Sequence, residues 1–176
     1  MSLKQISVFL ENKPGTLHTM TTALAQNGVD MRALSLAETK DFGIVRLIVD
    51  NVYDATTVLK DAGFIHSLTP VLGVMIPDEP GGLNQVLQVL NEAAVNVEYM
   101  YAFLGGADAD HAYMIFRVQD GEAATAALTS HGTRLGNQDE DAGKKDKTKP
   151  PHGYGVRSFF LFRMGKRLTR LRRSPR

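Results

Sequence analysis

The sequence predicts an α+β protein that contains two copies of one β-α-β-β-α-β unit, and three observations lead to that prediction. A Pro-Gly turn at residues 14–15 recurs 66 positions later at residues 80–81, and the apolar residues after each turn keep this offset. A fixed offset of this kind indicates a duplicated folding unit. Segments in which apolar residues alternate, as in strands, are interleaved with segments in which they recur every three or four positions, as in helices. The length of 176 residues suits two small units that stabilise each other by packing.

The first unit is predicted over residues 1–70. Its first strand shows alternating apolar residues on one face, namely Ile6, Val8 and Leu10. Pro14 favours a helical φ in the first turn of the next element, and Gly28 is a typical left-handed stop for that helix. The elements predicted in order are a strand at 4–10, the helix between Pro14 and Gly28, strands at 31–39 and 44–49, a helix at 54–62 and a strand at 64–71.

The second unit is predicted over residues 71–140 and repeats the same order. Its elements are a strand at 72–76, a helix at 83–94, strands at 97–104 and 112–118, a helix at 123–130 and a strand at 133–138. The offset between the copies grows from 66 to 69 after the second strand, so we place a three-residue insertion in the hairpin turn at 105–110. Each unit is therefore a ferredoxin-like sandwich, with two helices on one face of an antiparallel sheet. RNA-recognition modules share this order, but Ile44 stands where their third strand has an aromatic residue.

Charge divides the chain into two unlike parts. Residues 144–176 hold twelve of the 20 Lys and Arg residues and one acid, Asp146, a net charge of +11, whereas residues 1–143 carry −10. We interpret residues 141–176 as a basic tail that is either disordered or not native to the protein, for example the product of an altered reading frame. Nucleic acid or an anionic membrane would bind only through this tail.

Composition excludes several classes of function. The chain has no cysteine, which rules out disulfides, thiolate metal sites and thiol catalysis. Its five histidines lack the spacing of metal ligands, and no phosphate-binding glycine loop is present. We therefore predict no catalytic residues, no metal, no cofactor and no enzyme activity. The start of the chain has no signal-peptide core and no apolar run is long enough to cross a bilayer, so we expect a cytoplasmic protein.

Each Pro-Gly turn opens a helix, and the first N–H groups of a helix form a natural site for a carboxylate. A polar residue lies two positions before each proline, Asn12 and Asp78, and another lies at the start of each second strand, Asp30 and Asn96. We expect these two kinds of position to lie near the same end of the sheet. Each unit then offers helix amides for a carboxylate and an Asn or Asp for an ammonium group, which together fit a zwitterion. The alternative is that all four residues are turn-formers or helix caps.

These motifs resemble the ACT domain family of small regulatory modules that bind amino acids. Residues 11–17 with 27–31, and residues 78–83 with 93–97, match the family's pattern, although Ala94 stands where a glycine is expected. The resemblance covers residues 4–138. It implies that the two units pack side by side into one eight-stranded sheet and bind a ligand at the interface between them. By position, the implied ligand-binding residues are Asn12, Pro14, Gly15, Thr16, Leu17, Asp30 and Met31 in the first unit, and Asp78, Pro80, Gly81, Gly82, Leu83, Asn96 and Val97 in the second.

The function that this resemblance implies is that of a non-enzymatic regulatory protein whose ligand is a free amino acid. An alternative is a regulatory subunit that associates with an amino-acid biosynthetic enzyme. The expected partners are accordingly the amino acid itself and either a second copy of the chain or that enzyme.

Overall fold

The computed structural model describes residues 2–38, 40–102 and 111–136, all of which belong to one compact unit that spans Met1–Lys144. The predicted basic tail at 141–176, the hairpin turn at 105–110 and the last two positions of the strand at 133–138 lie outside the described residues. No helix in the described part of the chain is long and apolar enough to cross a membrane.

The order of elements confirms the prediction of two β-α-β-β-α-β repeats. The strands are β1 (Leu3–Glu11), β2 (Met31–Glu38), β3 (Phe42–Val49), β4 (His66–Pro77), β5 (Val97–Ala102) and β6 (His111–Val118). The helices are α1 (Thr16–Gln26), α2 (Val52–Asp61), α3 (Gly82–Glu92) and α4 (Gly121–Ser130). Pro14 lies in the turn before α1 and not in its first helical turn, because Gly15 adopts a left-handed conformation that precedes the helix.

The described strands form a six-stranded antiparallel sheet in the order β2-β3-β1-β4-β6-β5. The expected eight-stranded sheet is wrong, mainly because one continuous strand, β4, is the last strand of the first repeat and the first strand of the second. Its first half pairs with β1, where Val71 lies opposite Leu3, and its second half pairs with β6, where Leu72 lies opposite Phe116. The boundary that we predicted between residues 70 and 71 therefore falls inside a strand.

The last predicted strand, at residues 133–138, is reduced in the described residues to a single bridge between Leu135 and Val74. Two further backbone hydrogen bonds hold this segment beside β4, from Met75 N to the carbonyl of Arg134 at 3.0 Å and from Gly136 N to the carbonyl of Gly73 at 2.9 Å. The segment thus lies beside β4, where the strand was expected, but it pairs with β4 only through these few hydrogen bonds.

Three apolar clusters stabilise this arrangement. Two lie between the sheet and the helices, one in each repeat, with Met20 and Leu24 of α1 buried in the first and Val86 and Leu90 of α3 in the second. The third lies on the helix-free face and takes one buried residue from each strand: Leu3, Ala33, Ile48, Val71, Tyr101 and Ile115. Because all six strands meet in one cluster, the sheet must curl, and its edge strands β2 and β5 come within 8 Å of each other, measured between Cα atoms.

The curled sheet sets the relative direction of the two repeats. Each neighbouring pair of strands is antiparallel, so β2 runs parallel to β1, whereas β4 and β5 run opposite to both. The end of β4 therefore extends beyond the starts of β1 and β2. β5 starts at the level where β2 starts, because Val97 lies opposite Val118, in the row of Pro70 and Lys4.

Candidate functional site

The first Pro-Gly turn follows β1 and leads into α1. Gly15 precedes the helix with a φ of +89°, and no side chain caps the first N–H groups of α1. Asn12 is anchored to the turn between β2 and β3, because its backbone N–H donates to the carbonyl of Asp41 at 3.0 Å and its side-chain amide donates to that of Lys40 at 3.4 Å. Thr16 starts the helix, and the side chain of Leu17 is 36% exposed beside the turn.

The second Pro-Gly turn has the same backbone form and packs more tightly. Gly81 has a φ of +95° and α3 again lacks a side-chain cap. A Cβ atom at Gly82 would overlap the carbonyl oxygen of Pro77, so only glycine fits between the helix and the end of β4. Beside this turn lies a cavity of about 390 Å³, lined by Ile76, Pro77, Asp78, Glu79, Gly81, Leu83, Asn84, Leu87 and Ala112. The volume lies at the lower end of the range of ligand pockets, about 300–1,000 Å³.

The other two helices differ at this position. The side chain of Asn51 accepts from the backbone N–H of Asp54 at the start of α2. The side chain of Asp120 accepts from two backbone N–H groups at the start of α4. A side-chain cap already satisfies part of the positive end of these helices. At the starts of α1 and α3, where a glycine precedes the helix, the first N–H group donates to a turn carbonyl, from Thr16 to Lys13 at 3.3 Å and from Gly82 to Glu79 at 3.1 Å. The N–H groups that follow have no side-chain cap and can donate to an outside acceptor.

The expectation that both polar positions of one repeat share an end of the sheet is wrong. In the first repeat, Glu11 lies opposite Phe42, whereas Met31 lies opposite Val49 at the other end of β3. Seven residues of strand separate these rows, which corresponds to about 23 Å. The same seven-residue separation holds in the second repeat. The physical reason is that parallel strands joined by a helix start at the same end, so the start of β2 lies beside the start of β1 and far from its finish.

The opposite direction of the two repeats brings the two second-strand starts to one level of the sheet. Met31 lies opposite Val49, in the row of Lys4 and Pro70, and Val97 lies opposite Val118, which continues the same row. The residues at this level are Asp30, Met31, Asn96 and Val97. The turn with Asn12, Pro14, Gly15, Thr16 and Leu17 lies about seven strand residues from this level in one direction, and the turn with Asp78, Pro80, Gly81, Gly82 and Leu83 lies about seven strand residues from it in the other.

The start of β2 also contains a residue that sequence reasoning missed. The pairing of β2 with β3 skips Arg32, since Met31 lies opposite Val49 and Ala33 lies opposite Ile48, which marks a β-bulge. The Arg32 Nη2 atom lies 3.5 Å from Oδ2 of Asp30, and the two side chains are 22% and 43% exposed. The sequence contains one signal for this residue, an arginine close to an aspartate at the start of a mainly apolar strand. It contains no signal for the bulge that positions the arginine.

Both backbone groups of Asp30 are fixed by Asp50. The N–H of Asp30 donates to Oδ1 of Asp50 at 3.0 Å, and the N–H of Asp50 donates to the carbonyl of Asp30 at 3.1 Å. The start of β2 is therefore held in place independently of the Asp30 side chain.

The second repeat has a matching bulge at the start of β5, where Glu98 takes the place of Arg32. Glu98 accepts a hydrogen bond from Nε of Arg117 at 3.3 Å, and Nη1 of Arg117 donates to the carbonyl of Pro70 at 3.0 Å. This arginine is satisfied by the chain itself.

A buried polar cluster joins the helix-free faces of the repeats. Gln5, which is fully buried, donates to the hydroxyl groups of Ser7 and Tyr99, each at 2.9 Å, and accepts from the hydroxyl of Tyr101 at 2.9 Å. The guanidinium of Arg46 lies 4.1 Å from the centre of the Tyr99 ring. Burial raises the pKa of Tyr101, the nearby Tyr99 raises it further, and Arg46 lowers it to a smaller extent. The phenol is therefore protonated at neutral pH, as its donated hydrogen bond requires.

Within the described residues, no group of three or more His, Asp or Glu side chains is arranged to hold a metal ion. His111 and His131 line one open depression of about 480 Å³ together with Glu92 and Arg134.

Comparison with known proteins identifies one matching family and solved structures with a similar fold. A family model described as an ACT domain pair matches residues 1–136. Protein BT0572 from Bacteroides thetaiotaomicron has a similar structure, with 36% sequence identity, a TM-score of 0.75 and coverage of 82% of this chain and 97% of that one. The ligand-free regulatory subunit of aspartate kinase from Thermus thermophilus shares the fold at 18% identity and a TM-score of 0.52, over 72% of this chain and 90% of that one. No curated protein sequence matches this chain.

Proposed function

Because this chain belongs to the family of ACT domain pairs, we propose that it is a regulatory protein that binds a free amino acid and acts through binding alone. The observation that carries the proposal is the family match over both repeats. The cavity at the second Pro-Gly turn supports it, because the cavity lies among residues that the family's pattern assigns to the ligand.

Two places in the fold suit parts of an amino acid. The uncapped start of α3 offers N–H donors and a partial positive charge for a carboxylate, and Asp78 lies in the wall of the cavity beside it. At the start of β2, about seven strand residues away, Asp30 offers negative charge for an ammonium group and lies beside Arg32. Because Asp30 lies at the level where the second strands of both repeats start, we assign the ligand to the start of β2.

Regulation follows from the position of this site between the repeats. A ligand at the start of β2, the edge strand that comes within 8 Å of β5, binds one relative arrangement of the repeats better than any other. The free energy of that preference is what a partner protein or a second copy of the chain would detect.

A thermal unfolding screen of the full chain against the twenty amino acids, each at millimolar concentration, tests the proposal. A bound ligand at 100 times its Kd stabilises the folded state by about 2.7 kcal/mol. We expect one or a few amino acids to raise the Tm, and we expect Asp30→Ala to remove the shift. Asp61→Ala, at the exposed end of α2, serves as the control that keeps it. A flat response of the wild type to all twenty contradicts the proposal.

A second candidate function is association with an amino-acid biosynthetic enzyme as its regulatory subunit. An exposed apolar surface on the first repeat favours it. Phe9, Phe42 and Ile65 are 45%, 61% and 74% exposed. Phe9 lies opposite Ile44 on β3, and its N–H donates to the carbonyl of Ile65 at 2.9 Å. This surface continues the helix-free face beyond the part that the second repeat covers.

The enzyme-subunit function predicts a stoichiometric complex whose catalytic activity changes when this chain is removed. Replacing Phe9 and Ile65 by serine should dissociate that complex, whereas Tyr53→Ser, on the exposed side of α2, should leave it intact. A chain that purifies from its source without an enzyme, at concentrations near those of the cell, argues against this function.

A further inference from the structure

The bulge in β2 places the guanidinium of Arg32 where two of its nitrogen atoms find no hydrogen-bond acceptor among the described residues. The Nε and Nη2 atoms of Arg32 are both buried, and neither forms a hydrogen bond with any residue that the structure describes. The 3.5 Å ion pair between Nη2 and Asp30 lacks the geometry of a hydrogen bond. Buried guanidinium donors without acceptors are unfavourable, and proteins usually pair them. Among the described residues, Arg32 therefore lacks a hydrogen-bond acceptor for these two atoms.

The two unsatisfied atoms define the shape of the missing partner. Nε and one Nη of an arginine form one edge of a planar fork, which matches the two oxygens of a carboxylate. The guanidinium carries a full positive charge, which attracts a carboxylate. Its side chain is 22% exposed and borders the surface, so ligand binding requires the side chain to turn its buried edge outward.

The neighbouring carboxylate completes the recognition of an amino acid. Asp30 is 43% exposed and lies beside Arg32. An α-amino acid carries a carboxylate and an ammonium group on one carbon, so it can pair with both side chains at once and replace the weak ion pair between them. We propose that Arg32 binds the α-carboxylate and Asp30 the α-ammonium group of a free amino acid at the start of β2. This inference rests on the proposed function for its ligand class.

The inference also assigns a single site to each chain. At the equivalent bulge of the second repeat, Glu98 replaces Arg32 and is already paired with Arg117. The start of β5 therefore has no free guanidinium of this kind among the described residues. Arg117, with two acceptors of its own, is the matched control for Arg32.

The first test needs no ligand and uses the full chain. Arg32→Met removes the unsatisfied donors and keeps the aliphatic part of the side chain, so the Tm should stay unchanged or rise. Arg117→Met removes two hydrogen bonds and should lower the Tm by about 3–6 °C. If Arg32→Met lowers the Tm as much as Arg117→Met does, Arg32 has a structural partner and the inference is wrong.

The second test uses an amino acid that stabilises the wild type. Arg32→Met should weaken its binding at least about tenfold, as expected for loss of charged hydrogen bonds. Arg117→Met should leave the Kd unchanged, and the amide of the same amino acid, which lacks the carboxylate, should not bind the wild type. Full binding by Arg32→Met overturns the inference and leaves the proposed function in place. A wild type that responds to no amino acid overturns both.

Discussion

The side-chain amide of Gln5 donates a hydrogen bond of 2.9 Å to the hydroxyl of Tyr99, a residue 94 positions away in the other repeat. Gln5 is fully buried and makes two more side-chain hydrogen bonds, to Ser7 and from Tyr101. An apolar contact between two faces tolerates small rotations, whereas three directional bonds to one amide do not. This contact therefore fixes the orientation of the second repeat on the first.

Replacing Gln5 by leucine should destabilise the fold by roughly 2–4 kcal/mol, because the hydroxyls of Tyr99 and Tyr101 lose their partner. Gln88→Leu is the control, since Gln88 is exposed and contacts only Glu92 on its own helix. We expect that variant to change stability by less than about 0.5 kcal/mol. Urea unfolding of both variants makes the comparison. Equal effects would mean that the buried amide contributes nothing specific.

The raised pKa of Tyr101 predicts a loss of stability at high pH. Below the unfolded pKa of about 10, the phenol is protonated in both states and contributes no pH dependence. Above it, the unfolded chain releases the proton while the folded chain retains it, so the free energy of unfolding falls by about 1.4 kcal/mol for each pH unit. The stability difference between the wild type and Tyr101→Phe should fall by about 1 kcal/mol between about pH 10 and about pH 11 in urea unfolding, and it should approach the full slope at higher pH. A constant difference over that range would show that Tyr101 titrates normally.

Ala94 and Gly28 predict opposite effects at equivalent positions. Both have a left-handed backbone, with φ angles of +55° and +70°. Glycine adopts this conformation without the Cβ clash that alanine suffers. Ala94→Gly should therefore stabilise the fold by about 0.5–1 kcal/mol, and Gly28→Ala should destabilise it by about 1 kcal/mol. No atom lies within 4 Å of a Cβ placed on Gly28, so the backbone alone would account for its effect in thermal unfolding.

Gly82→Ala should destabilise the second turn by roughly 1–3 kcal/mol, because the new methyl group meets the carbonyl of Pro77 and forces α3 away from β4. Gly121→Ala is the control, since Gly121 also starts a helix but has open space around it. That variant should be neutral or slightly stabilising. Thermal unfolding of both variants separates an effect of the close contact at the turn from a general effect of alanine at a helix start.

Sequence patterns were sufficient for the helices and for most strands, because each repeat has one face against helices and the alternation is clear. They did not predict the fusion of two strands into β4. Val71 faces the cluster between the repeats and Leu72 faces the helices of the second, so both faces of this strand are buried. A run that is apolar on both faces has no alternation and no turn residue to mark a boundary. The pattern alone does not distinguish two short strands from one long one.

Sequence patterns identified the individual residues of the candidate site. They did not predict which of these residues lie near one another in the folded chain. Asn12 and Asp30 lie at opposite ends of β3, which follows from the parallel direction of β1 and β2 and was open to derivation from the order of elements. The common level of Asp30 and Asn96 depends on the fusion of two strands into β4, which fixes the register between the repeats. Arg32 acquires its importance from a bulge, and no local pattern in the sequence specifies one.

The single strand β4 restricts how this protein can transmit a signal. A chain whose repeats are joined by a flexible linker can swing one about a hinge. Here the first and second halves of β4 are adjacent residues of one hydrogen-bonded strand, so no hinge is available at residues 71 and 72. A ligand at the start of β2 must act by altering the twist of the common sheet. That change would reach the far end of the molecule as a small rotation of every strand, which a rigid partner would sense across a broad surface.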